Sequence, residues 1–318
     1  MKHFVGIDLG GTNTVTALFD ENFKLVMKAS CKTNLPKTSK KLARDMALNV
    51  IKMLKKVNLS LHEVDSVGIG APGVIDSKAK IIKNSCNFNY TNEPLALFLQ
   101  NELQKEVFIE NDANVAAFGE FFYRKKYDAS LSSMVLLTLG TGIGGGIVID
   151  GRIYNGFNCC GAEIGHMVTR VGGRLCNCGR RGCFETYASA TGLLKTTRQF
   201  MERDRNSQLW NVVASGRKLS GKITFDIARQ GDGTAIKIKR RFVRDLGEGV
   251  VNVVNIFQPQ LLCIGGGISK EGRFLIDPLR EFVKKYDYAK NVVQRCRVEV
   301  CRLKNDAGLV GAAMLCKF

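Results

Sequence analysis

Apolar residues in this chain come in short runs divided by glycine-rich turns, with helically spaced stretches between them. Residues 4–9 (F-V-G-I-D-L) read as a buried strand, and G-G-T-N turns the chain into a second, T-V-T-A-L-F-D. A third strand, L-V-M-K-A-S, is expected after the turn D-E-N-F. Leu42, Met46, Val50, Leu54 and Val57 share one face of a helix, and S-V-G-I-G at 66–70 predicts a strand that opens into A-P-G. Val107–Ile109 reads as a short strand and Ala113–Gly119 as the start of a helix. The second half starts as the first does: M-V-L-L-T-L at 134–139, the turn G-T-G-I-G-G-G, then I-V-I-D and R-I-Y. A strand-to-glycine unit, L-L-C-I-G-G-G-I-S, comes later, and the residues from Asp306 onward read as a helix of small side chains. One glycine-tipped hairpin thus occurs in each half. The pattern predicts two related α/β domains facing one another across a cleft.

Composition narrows the function class. At 318 residues, 45% hydrophobic and 24% charged, the chain is long enough for two globular domains. No apolar run approaches the ~20 residues of a membrane span, so no membrane partner is expected. The first strand begins almost at the N-terminus, leaving no room for a signal peptide, and a cytoplasmic location is expected. Eleven cysteines, an odd number, fit a reducing compartment in which clustered thiols bind metal. Cys31, Cys86, Cys263 and Cys301 are scattered and read as core or surface thiols. The net charge of +18 raises the question of nucleic acid. Its densest run, K-I-K-R-R-F-V-R at 237–244, has Ile238, Phe242 and Leu246 at helical spacing, with Asp245 and Glu248 following Arg241 and Arg244. That is the pattern of a solvated helix face with i,i+4 pairs, so no nucleic-acid partner is expected.

Glycines at hairpin tips let backbone N–H groups approach phosphate oxygens. Gly140–Gly145 satisfies G-x-G-x-x-G, but a strand follows it rather than a helix, so the dinucleotide-binding reading fails on context. No G-x-x-x-x-G-K-[ST] is present. At the strand-to-helix junction E-N-D-A-N (110–114), Asn111 and Asp112 offer an amide and a carboxylate, although an Asp here can equally be a helix N-cap. Between Glu163 and Glu185, His166 is followed by Cys176, Cys178 and Cys183 in a Gly- and Arg-rich loop. One imidazole and three thiolates suit tetrahedral Zn²⁺, and four protein ligands make the ion structural. The zinc loop, 166–183, would fix the two bracketing acids relative to each other, as a polyhydroxylated ligand requires.

The hairpin D-L-G-G-T at 8–12, E-N-D-A-N at 110–114, L-G-T-G-I-G-G-G at 139–146, G-A-E-I-G-H at 161–166 and C-N-C-G-R-R-G-C-F-E at 176–185 occur in this order. Together they resemble the ROK family (repressor, open reading frame, kinase), most closely its bacterial glucokinases. The resemblance implies the actin-like ATPase fold shared with hexokinase and the seventy-kilodalton heat-shock proteins. It divides the chain into a small α/β domain, 1–117 plus 304–318, and a large one, 118–303, and it implies a homodimer. It also implies ATP-dependent phosphorylation of the glucose 6-hydroxyl, with Asp112 as general base. Asn111, Asp112, Glu163, His166 and Glu185 would hold the sugar with backbone at Gly73, and His166 would use its two ring nitrogens for zinc and sugar. ATP would lie against Gly10, Gly11, Thr12 and Asn13, against Gly140, Thr141, Gly142 and Gly144, and against Gly265, Gly266 and Gly267. Asp8 would act near Mg²⁺. Asn87, within N-S-C-N-F-N-Y at 84–90, is the expected further sugar contact. Other acceptors in such a family are N-acetylmannosamine, fructose, mannose and allose, and another class is a sugar-binding regulator without catalysis. Family repressors carry a DNA-binding segment before the first strand, which is not expected here. Cys159 and Cys160 fit no part of the pattern.

Overall fold

The computed structural model describes residues 2–292 and 294–317. Its strands and helices begin with β1 (His3–Leu9), β2 (Asn13–Phe19), β3 (Leu25–Lys32), α1 (Ser39–Lys56), β4 (Val64–Ala71), β5 (Val74–Asp76), β6 (Ile81–Ser85) and β7 (Tyr90–Glu93). They continue with α2 (Leu95–Leu103), β8 (Glu106–Asn111), α3 (Asp112–Lys125), β9 (Met134–Leu139), β10 (Ile143–Ile149) and β11 (Arg152–Ile153). The remainder are α4 (Glu185–Ala188), α5 (Ala190–Arg203), α6 (Leu209–Ala214), α7 (Gly221–Arg229), α8 (Gly233–Phe257), β12 (Leu261–Gly265), α9 (Arg273–Tyr286), β13 (Arg297–Val300) and α10 (Ala307–Ala313). No described helix is long and apolar enough to cross a membrane.

The chain forms two compact units. The first comprises Met1–Met134, Gly146–Ala162 and Arg302–Phe318, and the second Val135–Gly145 and Glu163–Cys301.

In the first unit the five-stranded sheet runs β3-β2-β1-β4-β8. The predicted hairpin closes antiparallel, with Leu9 opposite Thr14. β4 and β8 add in parallel, with Ile7 beside Ile69 and Ile69 beside Ile109. One face buries Val5, Ile7 and Val67 under Leu42, Met46 and Val50 of α1 and Leu95 and Leu99 of α2. On the other face Phe4, Ala17 and Phe19 meet Leu309 and Ala313 of α10. Backbone approach here is close. A Cβ at Gly68 of β4 would stand 1.8 Å from the Ala312 carbonyl oxygen, and one at Gly311 only 1.7 Å from that of Val115 in α3. The small-residue helix therefore lies directly on the sheet and on α3. That packing takes the first unit past residue 117 and brings the chain back to it from Arg302.

Gly311→Ala would press a methyl group onto a backbone oxygen, a clash no rotamer relieves. It is expected to lower the unfolding free energy by about 1–3 kcal/mol. Urea denaturation measures this, and an unchanged midpoint would contradict the packing described.

In the second unit the strand order is β10-β9-β12-β13, and β12 pairs with β13 in parallel through Ile264 and Val300. The later part of β10 belongs to the first unit, where it forms a hairpin with β11. The longest helix, α8, starts at the N-cap Asp232, whose side chain accepts from Ala235 N at 2.7 Å. Ile238, Phe242 and Leu246 are buried along it, as their spacing predicts. The acid on this helix differs from expectation. Asp245 accepts from Arg241 Nε at 3.1 Å but is only 4% exposed, because Arg170 of the 166–183 loop also binds it. That pair is an anchor for the loop rather than part of a solvated face. Phe184 fixes the loop's end, fully buried against Gly249 of α8, where a Cβ would come within 2.2 Å of its ring.

Candidate active site

In the first unit the β8–α3 junction decides which polar groups are free. Asn111, not Asp112, is the N-cap: its Oδ1 accepts from Ala113 N at 2.9 Å and Asn114 N at 3.2 Å. Its Nδ2 donates to the Gly73 carbonyl at 3.0 Å. The two sugar contacts expected from Asn111 and Gly73 are thus joined to each other. Asp112 is the first helical residue rather than the cap, and its Oδ1 accepts from Ala113 N at 2.9 Å. It retains solvent-accessible surface, yet protein atoms crowd the carboxylate closely enough that desolvation raises its pKa, against the pull of nearby N–H groups. Desolvation likewise raises Asp8, at the end of β1, and the charge of Asp112 adds to it while Lys28 opposes it. The two acids are therefore electrostatic neighbours within one unit.

Glu110 opens the E-N-D-A-N motif, and its structural role, which no local pattern announces, is to hold this junction together. Only 1% exposed, it accepts from Asn111 N at 2.8 Å, Asn114 Nδ2 at 3.0 Å and Asn155 Nδ2 at 3.3 Å, and from Ser77 Oγ. Two of these partners, Ser77 and Asn155, lie far away in sequence. Asn87 is exposed between β6 and β7.

The Gly10–Thr12 tip is braced from below: Gly10 N donates to Asn13 O at 3.0 Å, and Thr33 Oγ1 donates to Gly10 O at 2.7 Å. A Cβ at Gly11 would meet no atom within 4 Å, so packing does not require glycine there. In the second unit Gly140 is equally open, and its carbonyl accepts from Ala190 N, the first residue of α5, at 2.9 Å. Thr141 is exposed and the Gly144 carbonyl accepts from Thr138 Oγ1 at 3.4 Å. Gly142 has a packing reason: a Cβ would stand 2.3 Å from Glu185 Oε2, which also accepts from Ile143 N at 3.3 Å. Glu185 is therefore held between the glycine loop and the cysteine loop. Among the later glycines, Gly265 approaches Cys301 Sγ, Gly266 has φ +81° with Leu139 O only 2.4 Å from its Cβ position, and Gly267 is open. A cavity of about 230 Å³ in this unit is lined by Thr141, Gly142, Cys176, Glu185, Ser189 and Lys195. Lys195 escaped the sequence reading because a lone lysine on an amphipathic helix has no distinguishing mark.

The ligand atoms of His166, Cys176, Cys178 and Cys183 all lie within 4.8 Å of one another. Cys176 Sγ is 3.7 Å from His166 Nδ1, and Cys178 Sγ is 3.6 Å from Cys183 Sγ. Ligands at tetrahedral corners around zinc stand roughly 3.5–3.8 Å apart, so the donor set fits that ion. Burial pushes Cys176 up to about 12 and raises Cys183, while the Arg180 N–H pulls Cys178 down to about 7. Thiols held this way lose protons when a cation binds. Glu185 Oε1 is 3.1 Å from Cys176 Sγ and 3.9 Å from His166 Nδ1. Glu163 is exposed immediately before the short turn that carries His166.

Comparison with known proteins fits this geometry. The family model "ROK family" matches residues 4–318. The chain belongs to the ROK family. A glucokinase from Thermotoga maritima is 38% identical over 98% of this chain and 96% of its own length. The crystal structure of a ROK family glucokinase from Streptomyces griseus in complex with glucose and AMPPNP is 31% identical, with a TM-score of 0.78 and 98% coverage of each chain. A xylose repressor from Caldicellulosiruptor bescii is 26% identical over 96% of this chain and 76% of its own length. The α/β units of this chain thus have the actin-like ATPase fold of the ROK sugar kinases.

Proposed function

We propose that this ROK protein is an ATP-dependent hexose kinase that phosphorylates the 6-hydroxyl of glucose. The observation that carries the reading is Asp112: the first residue of a helix capped by Asn111, with a raised pKa, at a junction anchored by Glu110. Asp112 takes the hydroxyl proton as the sugar oxygen attacks the γ-phosphorus of ATP, and ADP leaves. Asn111, Glu163, His166 and Glu185, with backbone at Gly73, hold the remaining hydroxyls. Carboxylates suit this task because each accepts two hydroxyl hydrogen bonds and charged acceptors bind more strongly than neutral ones.

Open backbone at Gly11 and Gly140 favours phosphate approach to both tips, with Thr12, Asn13, Thr141 and Gly144 alongside and adenosine near Gly265–Gly267. Asp8 would hold Mg²⁺, which neutralises charge on the transferring phosphate. His166, Cys176, Cys178 and Cys183 would hold zinc as a structural ion. With His166 Nδ1 turned to the cysteines, its Nε2 is the atom left for sugar. The protein is further proposed to work as a cytoplasmic homodimer.

An ADP-release assay with Mg-ATP and glucose, mannose, fructose, allose, glucosamine and N-acetylmannosamine tests the reading. Glucose is expected to give a kcat/KM at least about ten-fold above the others. Preference for another sugar would move the acceptor assignment to the 84–90 turn. Absence of turnover on every sugar by folded protein would leave the regulator.

A further inference from the structure

We propose that the first unit carries a second phosphate-binding site, built by Lys52, Lys55 and Lys56 over the α1 side of the β2–β3 ladder. A cavity of about 300 Å³ opens there, lined by these lysines with Thr16, Ser30 and Asn49. None of its lining residues is acidic.

Three ammonium groups around one cavity need an account. Lys52 stands at i,i+3 to Lys55 and i,i+4 to Lys56 on α1, where like charges destabilise a helix. The helix C-terminus favours cations in its last turn, which accounts for Lys55 and Lys56 but not for Lys52 a turn earlier. Some lysines of the unit find acids, Lys2 with Asp65, Lys28 with Asp306, Lys37 with Asp45, Lys80 with Glu106 and Lys83 with Asp76; what sets Lys52, Lys55 and Lys56 apart from the other lysines is that all three line one cavity without an acid. Among the described residues Lys52, Lys55 and Lys56 make no ion pair, and all three are exposed.

The floor beneath them is fixed. Asn49 Nδ2 donates to Cys31 Sγ at 2.8 Å, and Cys31 Sγ donates to Thr14 O at 3.7 Å, so α1 is tied to β3 across the cavity base. Met53, 1% exposed, closes it from the helix side. Several cationic donors, a hydroxyl at Thr16 and an amide at Asn49, with no competing acid, match the demands of a phosphate dianion. The shared chemistry is a phosphate group, whether free or as a hexose phosphate ester.

Lysine footprinting by mass spectrometry tests this on the intact protein, with an amine-reactive reagent and about 10 mM inorganic phosphate or hexose 6-phosphate at constant ionic strength. Lys40 and Lys41, some 16 Å away along the same helix, serve as internal controls. Modification of Lys52, Lys55 and Lys56 is expected to slow by about five-fold or more relative to the controls. The protection should vanish at any one of the three sites when the other two are replaced by Gln, exposed substitutions that leave the core untouched. Equal protection by both probes assigns the phosphate group alone, and stronger protection by the ester adds the sugar to the ligand. No protection, equal protection at Lys40 and Lys41, equal protection by chloride, or protection only by an oligonucleotide would each overturn the proposal.

Discussion

Replacing Asp112 with Asn should reduce turnover by about 10²–10⁴-fold, the usual worth of a general base, while sugar affinity stays within a few-fold of the wild type. Asn keeps the size of the side chain and an oxygen able to accept from Ala113 N, so the start of α3 has no reason to move. The same change should not weaken the fold. In the native state the Asp112 pKa lies above its ordinary value, chiefly through desolvation. A carboxyl raised in this way makes the native state less stable at pH above that raised value, because the fold disfavours the charge, and the penalty disappears as pH falls below it. Removing the charge is therefore expected to leave the melting temperature equal or higher at neutral pH, and thermal unfolding read by circular dichroism measures it.

The pH profile gives an independent check on the same group. Asp112 must be ionised to accept a proton, so kcat/KM falls on the acid side as pH drops through the raised pKa, above the ordinary ~3.9 of an Asp. Near-normal turnover in Asp112→Asn, or an acid limb at or below the ordinary value, would remove Asp112 from the role.

Legibility in the sequence followed the range of the interactions involved. The β1–β2 hairpin, the buried face of α1 and the core stripe of α8 were readable because periodicity and glycine punctuation are local signals. Whether Asn111 or Asp112 caps α3 was not, since either side chain can do it. The Gly73 carbonyl, which engages the Asn111 amide, comes from a distant turn. Gly142 reads as a phosphate glycine, whereas its lack of a Cβ also makes room for Glu185 from forty residues later. Asp245 reads as half of a solvated pair until Arg170 reaches it. The cysteine loop was legible because its four candidate donors, His166, Cys176, Cys178 and Cys183, lie within one short stretch of sequence. The return of Gly146–Ala162 to the first unit, which carries Asn155 to Glu110, rests on contacts that no spacing encodes.

Cys178→Ser separates the metal's contribution from that of the sugar ligands. Of the four donors, Cys178 is the exposed one, and its Sγ neighbour is Cys183. Cys176 touches Glu185 directly and His166 is itself a proposed sugar contact, so changes at either would confound the two effects. Replacing an exposed thiol by a hydroxyl costs no core packing. It does remove one of four thiolate or imidazole ligands, and structural zinc sites depend on all four. The loop then loses a crosslink whose free energy in small zinc peptides is about 10–16 kcal/mol. The loop also has backbone bonds of its own: Thr169 N and Arg170 N donate to Gly182 O, Cys176 N to Arg180 O, Gly182 N to Arg174 O and Phe184 N to Met167 O. These bonds shape the loop, and the proposed ion adds the tie between His166 and the three thiols, one of which lies against Glu185. Glucose affinity is expected to fall by more than about ten-fold, or ~1.4 kcal/mol, by calorimetry on the purified variant. Zinc content should fall with it, and proteolysis should cut first within 166–183. Unchanged affinity in a variant shown to be free of zinc would mean that the loop's packing on α8, through Phe184 and the Arg170–Asp245 pair, suffices to organise the sugar residues.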